Sequence, residues 1–524
     1  MTRNGGAAVV ETLAAHGVET VFGIPGTHNL ELYRWFAATG IRPVTPRHEQ
    51  GAGYAADAAA WVSGRPGVVV TTSGPGLLNA AAAAATSWAE SRPVLLLSPG
   101  APTGTGSDLG RLHETKDATG ALERIVAWSL RVSSPEEAAD AVAAAFSAFA
   151  TGRPRPVHIE IPLDVLEAPW SGPAPTATHR PTPAAPADAL RAAADLLREA
   201  RNPLVVAGGG AVDAAGPLRA VAEALGAPVA TTVNGKAVLD EAHPLSVGAS
   251  VRLRALQSAA AESDAVLVVG SELGDSDLWE GAITGRTLVR LDVDAAQLRK
   301  NTHADVALHG DAAATLTALR TLLPTGADGH ARAAELRAAC RKEALVDGAP
   351  FAEVVAAVRA GLPADGILTG DSSQVTYLGA VHLFDQSAPR SFCYTPGFAT
   401  LGYGLPAAIG AALAAPDRPV ACLLGDGALM FSVQELVTAV ELGLPLPIVV
   451  VDSGGYDEIR AQQQARGIPP VAVDLRNPDF VALARAMGAH GVAAQHPGDV
   501  TTHLAAALTA DRPTLIHLAL GRNL

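Results

Sequence analysis

The sequence predicts an α/β protein built from three doubly wound parallel-sheet domains. Three observations predict it. Short apolar runs ending in Gly, Pro or Ser alternate with Ala-rich helical stretches along the whole chain, the pattern of parallel sheets covered by helices. At 524 residues the chain is too long for one core. Two seams divide it: residues 167–187, rich in Pro, Ala and Thr, read as a surface linker, and a weaker break falls at Leu323 to Gly329.

The first block, 1–168, offers strands at Gly67 to Thr72, Pro93 to Ser98 and Pro156 to Ile161, with a further strand before Gly23. The second, 188–324, offers Pro203 to Ala207, Ala227 to Thr232, Asp264 to Gly270 and Thr287 to Val293. The third, 345–524, offers Gly366 to Gly370, Pro419 to Gly425, Pro447 to Asp452 and Pro513 to Leu518.

Hydrophobic residues make up 48% and charged residues 17%, enough for proper cores. A net charge of −14 argues against nucleic acid or an anionic membrane surface as partner. Cys340, Cys393 and Cys422 are scattered without CxxC spacing, so neither a disulfide framework nor a zinc site is indicated. No apolar run is long enough to span a bilayer, and the opening MTRNGGAAVVETLAAHG lacks the layout of a signal peptide. A cytoplasmic protein is expected.

The chemistry concentrates at strand ends. Between Val420 and Arg460 an apolar strand ends at Gly425-Asp426-Gly427, and Ser432-Val-Gln-Glu435 has capping-box spacing for a helix start. Glycines let the backbone approach a phosphate, a nearby helix start favours negative charge, and Asp426 offers an oxygen to Mg²⁺. A second strand then returns the chain to Asp452-Ser453-Gly454-Gly455, beside Asp426 at the ligand crevice of an open α/β sheet. The first block carries Pro46-Arg47-His48-Glu49-Gln50-Gly51 ahead of a helix from Tyr54. It also has Gly-rich turns at Gly23-Ile24-Pro25-Gly26 and Ser73-Gly74-Pro75-Gly76-Leu77-Leu78-Asn79. Read alone, Glu49 caps its helix equally well.

With GDG, a helix, a returning strand and polar residues at its end, the chain resembles the thiamine-diphosphate enzymes over nearly its whole length. The resemblance implies a pyrimidine-binding, a central and a diphosphate-binding domain. It assigns Glu49 to the pyrimidine N1′, where it promotes loss of the thiazolium C2 proton, and Pro25, Gly26, Thr72, Gly74 and Asn79 to the pyrimidine side. Ser373, Gln374, Thr400, Gly425, Gly427, Ala428 and Tyr456 fall to the rest of the cofactor, and Leu401 to the apolar wedge that bends it. Asp426, Ser453 and the Gly455 carbonyl become Mg²⁺ ligands, with Asp452 beside them. Here the chain departs from the pattern: Asp452-Ser453 stands where the family usually has Asn-Asn, and a hydroxyl is a poorer ligand than an amide. His28 and His113 sit where relatives place substrate-facing residues and could shuttle protons.

Within the family the closest resemblance is to acetolactate-synthase-like decarboxylases, especially the 5-guanidino-2-oxopentanoate decarboxylase group. It rests on Val21 to Arg34, Pro46 to Gly53 and Arg153 to Asp164. It implies decarboxylation of a small 2-oxo acid through a C2 ylide and an enamine, releasing CO₂ and an aldehyde, in a homodimer or homotetramer with shared sites. The alternatives are a carboligase joining the enamine to a second carbonyl, and a non-catalytic member with an altered metal loop. FAD, bound by some relatives in the central domain, is not expected from the lone Gly208-Gly209-Gly210 turn. A guanidinium substrate would call for a carboxylate; Asp275, Asp277 and Glu458 are the candidates.

Overall fold

The computed structural model describes residues 2–176, 182–324 and 326–520; residues 177–181 of the first seam and 325 of the second lie outside them. Three six-stranded, wholly parallel sheets are present. The first comprises β1 (Thr20–Gly23), β2 (Arg42–Val44), β3 (Gly67–Val70), β4 (Val94–Gly100), β5 (Ser129–Arg131) and β6 (Val157–Pro162), in the order β2-β1-β3-β4-β6-β5. The second comprises β7 (Pro203–Ala207), β8 (Val229–Thr231), β9 (Ser246–Ala249), β10 (Ala265–Val269), β11 (Leu288–Asp292) and β12 (Val306–His309), in the order β12-β11-β10-β7-β8-β9. The third comprises β13 (Ile367–Gly370), β14 (Phe392–Cys393), β15 (Val420–Gly425), β16 (Pro447–Asp452), β17 (His490–Ala494) and β18 (Thr514–Ala519), in the order β14-β13-β15-β16-β18-β17.

Every apolar run named above is a strand, with bounds within two residues. The strands that no such run predicts are β2, β5, β9, β12, β14 and β17, which are the six sheet edges. Edge strands face fewer neighbours and need less apolar sequence. Accordingly β2 exposes Arg42 and Pro43, whereas β3 is buried at every position.

The residues fall into two compact units. One contains the first sheet, and residues 405–416 and 432–444 belong with it. There Gly410 packs so closely on the Ala55 carbonyl that a Cβ would lie 2.0 Å from its oxygen, and the Glu435 carboxylate accepts the Arg47 N–H at 3.0 Å. The other unit contains the second and third sheets, connected by a helix spanning His330–Gly361 that includes Pro350.

Two helix starts differ from expectation. The helix expected from Tyr54 begins at Glu49, because the His48 ring accepts the Gln50 N–H and caps it there. The capping box at Ser432 does not form: the helix there runs Glu435–Glu441, and Glu435 turns its carboxylate to Arg47 and Thr438 instead. In the second sheet the Gly208-Gly209-Gly210 turn is a packing device. A Cβ on Gly208 or Gly210 would lie within 3 Å of the Gly270 backbone.

Two buried polar groups make testable demands on stability. Lys236 Nζ sits 2.8 Å from both oxygens of Glu241 and donates to the Val381 carbonyl, with both side chains almost fully buried. Removing one partner strands a buried charge, so Lys236→Met should cost about 3–5 kcal/mol, read as a lowered urea midpoint. His158, on β6, is fully enclosed between the Ser98 and Ser129 hydroxyls at 2.8 and 2.7 Å, and burial pushes its imidazole down to about 3. Between pH 6.5 and that value the unfolded chain binds a proton that the folded chain refuses. Stability is therefore lost as pH falls through this window, by up to about 1.4 kcal/mol per pH unit. His158→Gln should remove one proton from the pH slope of the unfolding free energy.

Candidate active site

Open parallel sheets bind ligands beyond the carboxyl ends of their strands, where successive connections leave in opposite directions. In the first sheet that point lies between β1 and β3, since the chain passes from β1 to β2 on one side and then to β3 on the other. The Gly23-to-Gly26 turn, Glu49 and the Thr71-to-Gly74 turn all emerge there. Gly26 and Gly76 crowd around Thr72: a Cβ on Gly26 would lie 3.0 Å from Thr72 Cβ, and one on Gly76 2.9 Å from Thr72 Cγ2 and 3.2 Å from Glu49 Oε1. Both glycines keep this cradle open. The Thr72 hydroxyl is buried in it without a hydrogen-bond partner among the described residues. Pro25 is exposed, and the Gly26 N–H is held by Asn29 Oδ1 at 2.8 Å.

Glu49 is 8% exposed, and its Oε2 accepts from Asn79 Nδ2 at 3.0 Å. No Lys or Arg pairs with it among the described residues. Since His48 supplies the helix cap, Glu49 is not spent on capping. Tyr33 lies close enough that burial and then the Glu49 charge push its phenol above the usual range.

His28 and His113 come together, although 85 residues separate them: their rings meet edge-on with centroids 5.3 Å apart. His28 Nδ1 lies 2.6 Å from Ser73 Oγ. Burial, and then the neighbouring His113, hold His28 below the usual imidazole range. His113 has a left-handed backbone (φ 58°), and its carbonyl closes over Gly74, where a Cβ would lie 2.4 Å from that oxygen. Both histidines line a cavity of about 400 Å³ with Gly74, Glu114, Arg131 and Glu160. Arg131 and Thr119 already occupy the Glu160 carboxylate.

In the third sheet the corresponding point lies between β13 and β15. Ser373 Oγ accepts the Gly425 N–H there at 2.9 Å, which leaves the hydroxyl proton to give, and the Ser372 hydroxyl is buried without a partner among the described residues. Gly427 lies against Tyr456, whose Cε1 would be 2.9 Å from a Cβ. Ala428 is buried. Gln374 reaches Glu458 rather than the glycine turn, at 3.1 Å. Thr400 and Leu401 are half-buried in a turn anchored by Asp371, whose fully buried carboxylate accepts the Gly402 and Gly404 N–H groups at 3.2 and 2.7 Å. Burial pushes Asp371 up to about 6, against those bonds.

Asp426 accepts from the Gly455 N–H at 3.0 Å and more weakly from the Ser453 N–H at 3.5 Å. Asp452 turns to His517 Nε2 at 3.0 Å and to the Gly454 N–H at 2.9 Å. Asn477 joins the two acids: its Nδ2 donates to Asp426 at 2.6 Å and to Asp452 at 2.8 Å. Carboxylate, amide, hydroxyl and carbonyl oxygens are the donor set of a hard cation, and the Gly425-to-Gly427 turn with the unpartnered Ser372 hydroxyl and the proton left on Ser373 suits a diphosphate, so the residues present fit both groups.

Asp371 and Asn477 are the residues that sequence reasoning missed. Each acts through non-local hydrogen bonds, and Asn477, in Arg476-Asn477-Pro478-Asp479, reads as an ordinary turn residue.

Three family models match the chain. Residues 3–121 match the thiamine pyrophosphate enzyme N-terminal TPP binding domain, 190–319 its central domain, and 371–518 its C-terminal TPP binding domain. A protein of Pseudomonas aeruginosa named probable 2-ketoarginine decarboxylase is 43% identical, over 95% of this chain and 90% of that one. The acetolactate synthase large subunit of Parasynechococcus marenigrum is 35% identical, over 100% and 88%. The acetolactate synthase isozyme 2 large subunit of Escherichia coli is 32% identical, over 99% and 95%. Among the described residues no helix is long and apolar enough to cross a membrane. With both strand-end cradles in place and all three family models matched in order, the chain belongs to the thiamine pyrophosphate enzymes.

Proposed function

We propose that this enzyme decarboxylates a small 2-oxo acid, releasing CO₂ and an aldehyde, with Mg²⁺ holding the cofactor diphosphate. The observation that carries the reading is Glu49: a buried carboxylate without a cationic partner, opening on the Gly26–Thr72–Gly76 cradle. The 43% identity to a protein named probable 2-ketoarginine decarboxylase favours decarboxylation as the outcome and a guanidino acid as the substrate.

Thiamine diphosphate, when bound, supplies the electron sink. Glu49 holds and returns a proton at the pyrimidine N1′, and Asn79 orients it. His28 and His113 exchange protons with the substrate side of the cavity. Pro25, Gly26, Thr72 and Gly74 shape the pyrimidine cradle. Ser373, Gln374, Thr400, Gly425, Gly427, Ala428 and Tyr456 receive the remainder, and Leu401 is the wedge. Asp426, Ser453 and the Gly455 carbonyl hold the cation, with Asp452 beside them. Segments 1–168, 188–324 and 345–524 act as the pyrimidine, central and diphosphate domains. The working form is a cytoplasmic homodimer or homotetramer with shared sites. An active species sedimenting as a monomer would refute the sharing.

The acetolactate synthase relatives favour a second reading, in which the carbon fragment left after CO₂ departs is joined to a second carbonyl instead of being protonated and released. One experiment separates the two. Protein, thiamine diphosphate and Mg²⁺ are incubated with pyruvate, branched and aromatic 2-oxo acids and 5-guanidino-2-oxopentanoate, reading CO₂ release and product NMR. Aldehyde from one acid is expected; an acyloin or acetohydroxy acid would make the enzyme a carboligase, and no CO₂ from any acid would sink both readings.

A further inference from the structure

We propose that Glu458, Tyr377 and Trp279 form the recognition site for a guanidinium group at the far end of the substrate; this rests on the decarboxylase reading above. Glu458 lies in the first turn of the helix Asp457–Ala465 and is half-buried. Its Oε2 accepts from Gln374 Nε2 at 3.1 Å and the Tyr377 hydroxyl at 3.2 Å, and its Oε1 from Gln462 Nε2 at 2.8 Å. All three donors are neutral. Among the described residues no Lys, Arg or His forms an ion pair with it, and Arg460, two residues on, is committed to Asp457 and Asp474. A carboxylate has about four acceptor positions, so this one keeps room for a further, cationic donor.

Trp279 supplies the second half. Its ring lies 6.3 Å from that of Tyr377, so the phenol links the indole to the carboxylate. Trp279 is 48% exposed and has a left-handed backbone (φ 42°), an uncommon conformation for a bulky residue and a sign that its placement is imposed by its surroundings. The Arg252 guanidinium already lies 4.1 Å from the ring centroid, so the indole accepts a stacked guanidinium in this structure. Burial holds Arg252 below the usual guanidinium range, with Tyr394, Tyr377, Asp347 and Glu343 around it, and it forms no ion pair with Glu458 among the described residues. Asp275 and Asp277, in the turn of helix before Trp279, add further negative charge. A planar fork that bonds a carboxylate and stacks on an aromatic face is the guanidinium's particular chemistry, which an ammonium or a neutral chain lacks.

The test compares 5-guanidino-2-oxopentanoate with the uncharged 2-oxohexanoate as the ratio of their kcat/KM values on the holoenzyme. The wild type should prefer the guanidino acid. Glu458→Gln keeps the shape and should lower the ratio about 10- to 100-fold, mainly through KM, as expected for a lost charge-assisted bond. Trp279→Ala should lower it about tenfold. A ratio unmoved by both variants overturns the proposal. Wild-type turnover of 2-oxohexanoate without turnover of the guanidino acid overturns it too, and leaves the decarboxylase reading standing. Calorimetry with unreactive 5-guanidinopentanoate separates the remaining case. Binding to the wild type that Glu458→Gln abolishes supports the site even if no acid releases CO₂, and equal binding to both refutes it.

Discussion

Glu49→Gln should lower turnover on the preferred 2-oxo acid by about 100- to 10,000-fold, the usual contribution of a positioned general acid–base group. The folded state should survive, because the amide still fills the volume and still accepts from Asn79 Nδ2 at 3.0 Å in the native arrangement. What it loses is the ability to hold and return a proton at an imine-type nitrogen. Cofactor binding, followed by calorimetry at fixed Mg²⁺, should weaken far less than turnover. Deuterium exchange at the cofactor's C2, read by NMR without substrate, should slow in proportion to turnover. Turnover within a few-fold of wild type would remove Glu49 from the mechanism, and matched losses in binding and rate would make it a structural residue of the cradle.

Asp426→Ala is the second large effect. Altering an outer-shell partner of a metal typically costs about 10- to 100-fold in affinity, and Asp426 is proposed to contact the cation itself. The apparent Mg²⁺ requirement for thiamine diphosphate binding should therefore rise at least about 100-fold. The variant also frees the Gly455 N–H and half of the Asn477 amide, which Asp426 now holds at 3.0 and 2.6 Å, so the Asp452-to-Gly455 loop loses its anchor. Calorimetric titration of Mg²⁺ into protein with cofactor checks the affinity, and limited proteolysis near residue 454 checks the loop. Unchanged Mg²⁺ dependence would show that the cation is held elsewhere. Asp452, engaged by His517 and Asn477, is the group to replace next.

The sequence by itself determined the three parallel sheets and the strand ends that carry the glycine-rich turns. Both are local: a buried strand needs a continuous apolar run, and a turn approaching a phosphate needs glycine. Hence the interior strands were legible and the six edges, with their shorter or more polar runs, were not. Asp426 and the Gly425-to-Gly427 turn were legible for the same reason, standing directly after such a run, whereas the reading of Glu49 came from the family resemblance. The tertiary structure alone decided which side chains meet. It brought His28 to His113, put Asn477 between Asp426 and Asp452, and used Asp371 to anchor the Gly402-to-Gly404 turn. It also set Glu458 beside Tyr377, and Tyr377 beside Trp279. These pairings depend on strand order and crossover direction, which place residues far apart in sequence at one sheet end. No periodicity or motif along the chain records that order.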